Sequence, residues 1–140
     1  MAQALREVMS ANPVALPAET RVREAAAKMV EREIGNVLVM DDGKVTGVVT
    51  DRDIVVRAVA KRDDLTDCTL RDVCSAPLVT ASPDDDIDTA VARMRENAVR
   101  RIAVVDDSGQ PVGVFTLGDA ALEKDSDSAL GDISSATANS

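Results

Sequence analysis

Apolar positions along the chain fall into short runs whose spacing switches between the helical and the extended period. Val22, Ala25, Ala26, Met29 and Val30 recur at three- and four-residue intervals, and Ile87, Ala90, Val91 and Met94 do the same further on. Both sets predict amphipathic helices, because 3.6 residues per turn bring i, i+3 and i+4 onto one face. Ahead of each helix lies a Pro-punctuated extended stretch, Pro13-Val14-Ala15-Leu16-Pro17 in one case and Pro77-Leu78-Val79-Thr80 in the other. Ser82, Pro83 and Asp85 read as N-cap, first helical Pro and first-turn acid for the later helix. After each helix come two apolar runs joined by a Gly-containing turn, Val37 to Met40 with Val45 to Val49, and Ile102 to Val105 with Val112 to Phe115. These predict two β-hairpins. A second helix then starts at Thr50 or Thr116, and in the first copy its stripe is Ile54, Val55, Ala58 and Val59.

The order occurs twice because the sequence is duplicated. Val8-Met9-Ser10 returns as Val73-Cys74-Ser75, 65 residues later. At that offset residues 22–42 lie over 87–107 with seven identities in 21, among them Ala25/Ala90, Met29/Met94 and Val39/Val104. Ser108 is an insertion, and the match resumes at an offset of 66 with Gly43/Gly109, Gly47/Gly113, Val48/Val114, Thr50/Thr116 and Asp53/Asp119. The insertion falls in a turn, where an extra residue costs little. The predicted fold class is therefore mixed α and β, with two β-α-β-β-α repeats forming one compact module, since a single repeat buries too little surface alone. Residues 5–60 form the first repeat, 61–72 a charged connector and 73–124 the second repeat. Residues 125–140 read as a flexible acidic and polar tail, poor in apolar groups.

Charge and composition narrow the function. The net charge of −9 opposes phosphodiester backbones and anionic membranes, so neither nucleic acid nor membrane is an expected partner. The chain has no His, which removes the usual neutral-pH base, Ser-His-Asp and Cys-His machinery and the commonest metal ligand. With no Trp, no Tyr and one Phe, aromatic stacking platforms are lacking as well. The N-terminal residues show no secretory pattern, and no apolar run approaches a membrane span. A cytoplasmic location is expected. Cys68 and Cys74 read as small buried or half-buried thiols in a reducing compartment, Cys74 filling the place of Met9 and Cys68, in the connector, the more reactive of the two. The acids Asp84, Asp85, Asp86 and Asp88 are better explained by a helix N-terminus than by a metal.

Two constellations carry candidate chemistry. Thr50-x-x-Asp53 and Thr116-x-x-Asp119 each stand where a strand ends and a helix begins. Free N–H groups there favour anions, and a carboxylate can accept hydrogen bonds from both hydroxyls of a ribose. The same spacing is also that of a capping box, and the two roles are compatible. Arg100 and Arg101 precede the strand of the second hairpin and could hold a phosphate, or be solvated or paired with Glu96, Asp106 or Asp107. The first copy has Gly35-Asn36 there, so the two sites are chemically unequal.

The duplicated pattern resembles the CBS domain, found in tandem pairs. The residues that carry the likeness are Val8-Met9-Ser10, Gly47-Val48-Val49-Thr50-Asp51-Arg52-Asp53-Ile54, Val99-Arg100-Arg101-Ile102-Ala103-Val104-Val105-Asp106 and Gly113-Val114-Phe115-Thr116-Leu117-Gly118-Asp119. The resemblance implies a pseudo-twofold pair with two clefts between the repeats, a regulatory and non-catalytic role, and dimerisation into a disc. It implies an adenosine-containing ligand, AMP, ADP or ATP before S-adenosylmethionine, with no obligatory cofactor or metal and with Asp53 and Asp119 on the ribose. Candidate adenine walls are Val14, Val37 and Val48 in one copy and Val79, Ile102 and Val114 in the other, with Asn36 beside the first. Leu38 and Ala103 stand where the family often has Pro. The chain then reads as a stand-alone homodimeric nucleotide sensor. The alternative is a scaffold with vestigial clefts that docks an unknown protein partner.

Overall fold

The computed structural model describes residues 3–74 and 79–124. The tail predicted at 125–140, and Ser75, Pro77 and Leu78 of the second repeat, lie outside the described residues. The chain opens with a 3-10 turn, Leu5–Glu7, and the short strand β1 (Ser10–Ala11). There follow β2 (Ala15–Pro17), α1 (Val22–Arg32), β3 (Asn36–Asp41), β4 (Lys44–Thr50) and α2 (Asp51–Asp53), which runs into a π-helical stretch, Ile54–Val59. Next come α3 (Leu70–Val73), β5 (Thr80–Ala81), α4 (Ile87–Asn97), β6 (Arg101–Val105), β7 (Pro111–Thr116) and α5 (Leu117–Lys124). The β-α-β-β-α order read from the sequence is present twice, as β2-α1-β3-β4-α2 and β5-α4-β6-β7-α5.

Packing divides the described residues into two units, one of residues 14–74 and one of residues 3–13 with 79–124. In the first, β2 lies parallel to β3 and β3 antiparallel to β4. In the second, β5 lies parallel to β6, β6 antiparallel to β7, and β1 adds antiparallel to the outer edge of β7. Each hairpin carries a register shift, between Val39 and Met40 and between Val104 and Val105, so even this irregularity is duplicated. The turns differ as the insertion requires. Asp42 (φ 52°) and Gly43 (φ 77°) make a two-residue turn with both φ positive, which matches strand twist. Ser108 lengthens its counterpart to three residues, closed by Gly109 N–H on Asp106 C=O at 2.9 Å with Gly109 at φ 81°.

Each unit has its own cluster of buried side chains. Val22, Ala25 and Met29 of α1 pack with Val37, Val39, Val49, Ile54 and Ala58. Ile87, Ala90 and Met94 of α4 pack with Ile102, Val104 and Phe115. Leu38 and Ala103, on the opposite faces of their strands, are fully buried too, which is why these runs are apolar without alternation.

Three helical expectations are corrected. Val30 is 81% exposed, because it sits about 100° round the helix from Met29, past the edge of the buried stripe. Val55 and Val59 are 56% and 55% exposed, because the stretch after Asp53 winds with i+5 bonds such as Ala60 N–H to Val55 C=O at 3.0 Å, and it turns only Ile54 and Ala58 inward. Ser82 does not cap α4. Asp86 does, accepting from Thr89 N–H at 2.7 Å. The carbonyls of Pro83 and Asp85 are taken up by the backbone N–H groups of Arg6 and Leu5, which holds residues 83–85 outside the helix.

The segment read as a charged connector also supplies core. Cys68 and Leu70 are fully buried in the first unit, so Cys68 is shielded from solvent and is not the reactive thiol expected from its place in the connector. Cys74 packs half-buried against that cluster, as Met9 does against the other. Among the described residues no helix is long and apolar enough to cross a membrane.

Candidate functional site

The last residue of β4 and the last residue of β7 are both Thr, and both hold the start of the next helix. Thr50 Oγ1 accepts from Asp53 N–H at 3.0 Å, and Asp53 Oδ2 accepts from Thr50 N–H at 2.9 Å. Thr116 and Asp119 repeat the arrangement at 3.1 and 2.9 Å. Each pair is a reciprocal capping box. The box uses one carboxylate oxygen and leaves Oδ1 outside it. A third Thr-x-x-Asp starts α3, where Asp72 Oδ2 accepts from Thr69 N–H at 2.9 Å. The spacing by itself therefore specifies a cap. What sets Thr50 and Thr116 apart is their place at the end of a hairpin strand.

Strand register decides what stands beside them. Asn36 is the partner of Thr50 and Arg101 the partner of Thr116, and Leu38 pairs with Val48 as Ala103 pairs with Val114. Directly opposed residues share a face of the sheet. One face of the first unit therefore carries Asn36, Leu38, Val48 and Thr50, and one face of the second carries Arg101, Ala103, Val114 and Thr116. The helix behind is tied to the same spot, since Asp51 N–H donates to Gly35 C=O at 3.0 Å and Leu117 N–H to Arg100 C=O at 2.9 Å. Of the wall candidates, Val48 is half-buried and Val114 buried on the Thr face. Val37 and Ile102 point the other way and are fully buried in the cores of their units. Val14 and Val79 lie partly buried against those cores, and their carbonyls accept from Leu38 N–H at 2.8 Å and Ala103 N–H at 3.3 Å. Sequence reasoning missed that Leu38 and Ala103 share the face of the Thr residues. Period-two counting back from Thr50 and Thr116 across each hairpin would have found it.

The comparison with known families rests on this duplicated geometry. The CBS-domain model matches residues 5–59 and again residues 70–123. The chain belongs to the CBS-domain family. It is 30% identical over 128 residues to the CBS domain-containing protein YhcV of Bacillus subtilis, covering 91% of this chain and 89% of that one. It is 33% identical over 117 residues to an uncharacterized protein of Methanopyrus kandleri, covering 83% of this chain and spanning 57% of that protein's length. The fold superposes with a TM-score of 0.79 at 22% identity on a CBS domain pair solved with 5'-methylthioadenosine and S-adenosyl-L-methionine, covering 91% of this chain and all of that one. CBS pairs of this kind are regulatory modules.

The two CBS repeats present unequal groups at equivalent places. Arg100 is exposed. Arg101 is half-buried, and its Nε is buried without a hydrogen-bond partner among the described residues. A buried N–H left unmade costs on the order of 1–3 kcal/mol, so an acceptor brought to it is strongly favoured. The first repeat has the neutral Asn36 at this position. Burial also pushes the Asp119 carboxyl above its ordinary value, against the lowering effect of the Thr116 N–H. At exposed Asp72 the same kind of bond, from Thr69 N–H, lowers the carboxyl instead. Acid and guanidinium in the second repeat are thus both partly withdrawn from water.

Proposed function

We propose that this CBS pair is a non-catalytic regulatory module that binds an adenine nucleotide of the AMP, ADP or ATP type and acts as a homodimer. The observation that carries the reading is the Thr/Asp box at the end of each hairpin strand, with Asn36 or Arg101 opposite the Thr. Oδ1 of Asp53 or Asp119 is the acceptor for ribose hydroxyls, and Thr50 or Thr116 steadies the first turn behind it. Arg101, whose buried Nε has no hydrogen-bond partner among the described residues, supplies the cation a phosphate needs, which favours a phosphorylated ligand over S-adenosylmethionine in the second repeat. The adenosine ligands of the solved pair with the same fold support the ligand class. Val55, Val56 and Val59, each about half exposed along the π-helical stretch, support a partner copy. Ligand changes the output only by its differential affinity for the states of the module.

The test is calorimetric titration of the protein with AMP, ADP, ATP and S-adenosylmethionine, repeated on Asp53→Ala and Asp119→Ala. Asp72→Ala is the control, because it removes an acid that accepts from its own Thr N–H at the same 2.9 Å but lies away from the hairpin strands. Saturable heat lost in the first two variants and kept in the third is the expected result. Equal affinity in all three overturns the site. No heat with any ligand near 1 mM, where binding is worth about 4 kcal/mol at most, favours the scaffold reading in its place. Val55→Asp with Val59→Asp should convert a dimer to a monomer in light scattering.

A further inference from the structure

The duplicated sequence begins earlier than the β-α-β-β-α repeats. Leu5-Arg6-Glu7-Val8-Met9-Ser10-Ala11 matches Leu70-Arg71-Asp72-Val73-Cys74-Ser75-Ala76 at the same offset of 65, with five identities in seven. Where both are described, the two segments are held by the same contacts. Ile87 N–H donates to Gln3 C=O at 3.1 Å as Val22 N–H does to Cys68 C=O at 2.9 Å. Leu5 N–H donates to Asp85 C=O at 2.9 Å and Leu70 N–H to Thr20 C=O at 2.9 Å. Arg6 N–H donates to Pro83 C=O at 3.1 Å and Arg71 N–H to Ala18 C=O at 3.0 Å. Arg6 pairs with Asp84 as Arg71 pairs with Glu19, and Leu5 and Leu70 are both fully buried. This is a docking motif with one apolar anchor, one cation and a fixed backbone ladder, and each unit carries a receptor for it.

The two segments differ in how they reach their receptors. Residues 68–74 dock within the unit formed by the preceding chain, residues 14–67. Residues 3–11 instead dock on 79–124, while a hinge of Asn12 and Pro13 joins them to the other unit. Asn12 sits at φ 56° directly before a proline, a position where the chain prefers extended backbone. We infer that residues 3–11 exchange between copies of this chain. The segment of one copy docks on the 79–124 unit of another through the Leu5 anchor, the Arg6–Asp84 pair and the β1–β7 pairing. All docking contacts are the same within a chain and between chains, so the balance rests on the hinge and on concentration. An extended hinge relieves Asn12.

Ser10 and Ala11 pair with Val114 and Gly113 across β1 and β7. The test mixes a tagged Ser10→Cys chain with an untagged Val114→Cys chain, refolds them together from urea, oxidises them, and reads the products on a non-reducing denaturing gel. The parent chain is the blank. A disulfide-linked heterodimer whose fraction rises with protein concentration is expected. Adding Gly113→Ala to the Val114→Cys chain should abolish it, because a Cβ there falls 2.5 Å from Met9 Sδ and 2.9 Å from Ser10 C=O. No heterodimer, with cross-linking inside the Ser10→Cys/Val114→Cys double variant, overturns exchange and leaves docking within one chain. No cross-link in either overturns the pairing itself. A heterodimer that survives Gly113→Ala, or forms equally when Glu96→Cys replaces Ser10→Cys, is random oxidation and also overturns exchange.

Discussion

The two CBS repeats share an element order, a register shift in the hairpin and a left-handed helix end, yet they differ where the hairpin strand meets the helix. The first puts Asn36 opposite Thr50, and the second puts Arg101 opposite Thr116. The second also holds its acid, Asp119, in surroundings dry enough to raise its pKa. Positions that set the fold were kept in both copies, while the positions beside the box diverged in charge. A duplicated scaffold can therefore present two strand ends of different chemical character on one element order.

The strongest way to break the comparison is at the docking anchors. Leu5→Ala and Leu70→Ala each remove a fully buried side chain and should each cost about 2–5 kcal/mol in urea denaturation. Similar losses would show that the two receptors are equivalent, and a much smaller loss for Leu5→Ala would show that its segment docks loosely. Next comes the charge swap. Arg101→Asn should weaken AMP more than adenosine, by about tenfold or more, since a charge-assisted hydrogen bond is worth about 1.5–3 kcal/mol. Asn36→Arg should bring phosphate preference to the first repeat. Equal loss for both ligands on Arg101→Asn would remove Arg101 from the phosphate.

Smaller effects sharpen the likeness. Glu33 (φ 55°) and Ala98 (φ 54°) end α1 and α4 in the left-handed region at equivalent positions. Ala98→Gly should therefore stabilise the second unit by up to about 1 kcal/mol, seen as a higher urea midpoint. The least is a pH effect. The Asp119 carboxyl is raised on folding, so the native state binds its proton more tightly than the unfolded chain. Its contribution is most favourable below the ordinary value of 3.8 and is lost as pH rises through the raised folded value. Asp119→Asn should flatten stability over that window, and an unchanged slope would remove Asp119 as its source. Asp72 has the opposite sign, since its lowered carboxyl gives stability that is lost as pH falls through the folded value.

The repeat, the element order and the Thr/Asp pairs were legible because they depend on periodicity and short-range chemistry. Short apolar runs flanking a turn fix the strands and helical spacing fixes the helices, and a Thr followed three residues later by Asp makes a local cap wherever it falls, as Thr69 and Asp72 also show. The stripe assignments failed at Val30, Val55 and Val59 for reasons that are not local. Helical period alone does not say how wide the covered stripe is, and nothing in Ile54 to Val59 announces a π-helical winding. Ser82 failed as a cap because residues 3–6, far away in sequence, take up the backbone beside it.

The sequence by itself determined that two copies of one β-α-β-β-α unit form, where their turns lie, and which acids stand at the strand ends. These follow from dihedral preference, periodicity and capping, all of which act within a few residues. Only the tertiary structure decided that residues 3–11 join the second unit, that Cys68 is core, and that Arg101 and not Arg100 turns a buried Nε beside Thr116. Those outcomes depend on burial and strand register, which are set by contacts between residues far apart in the chain.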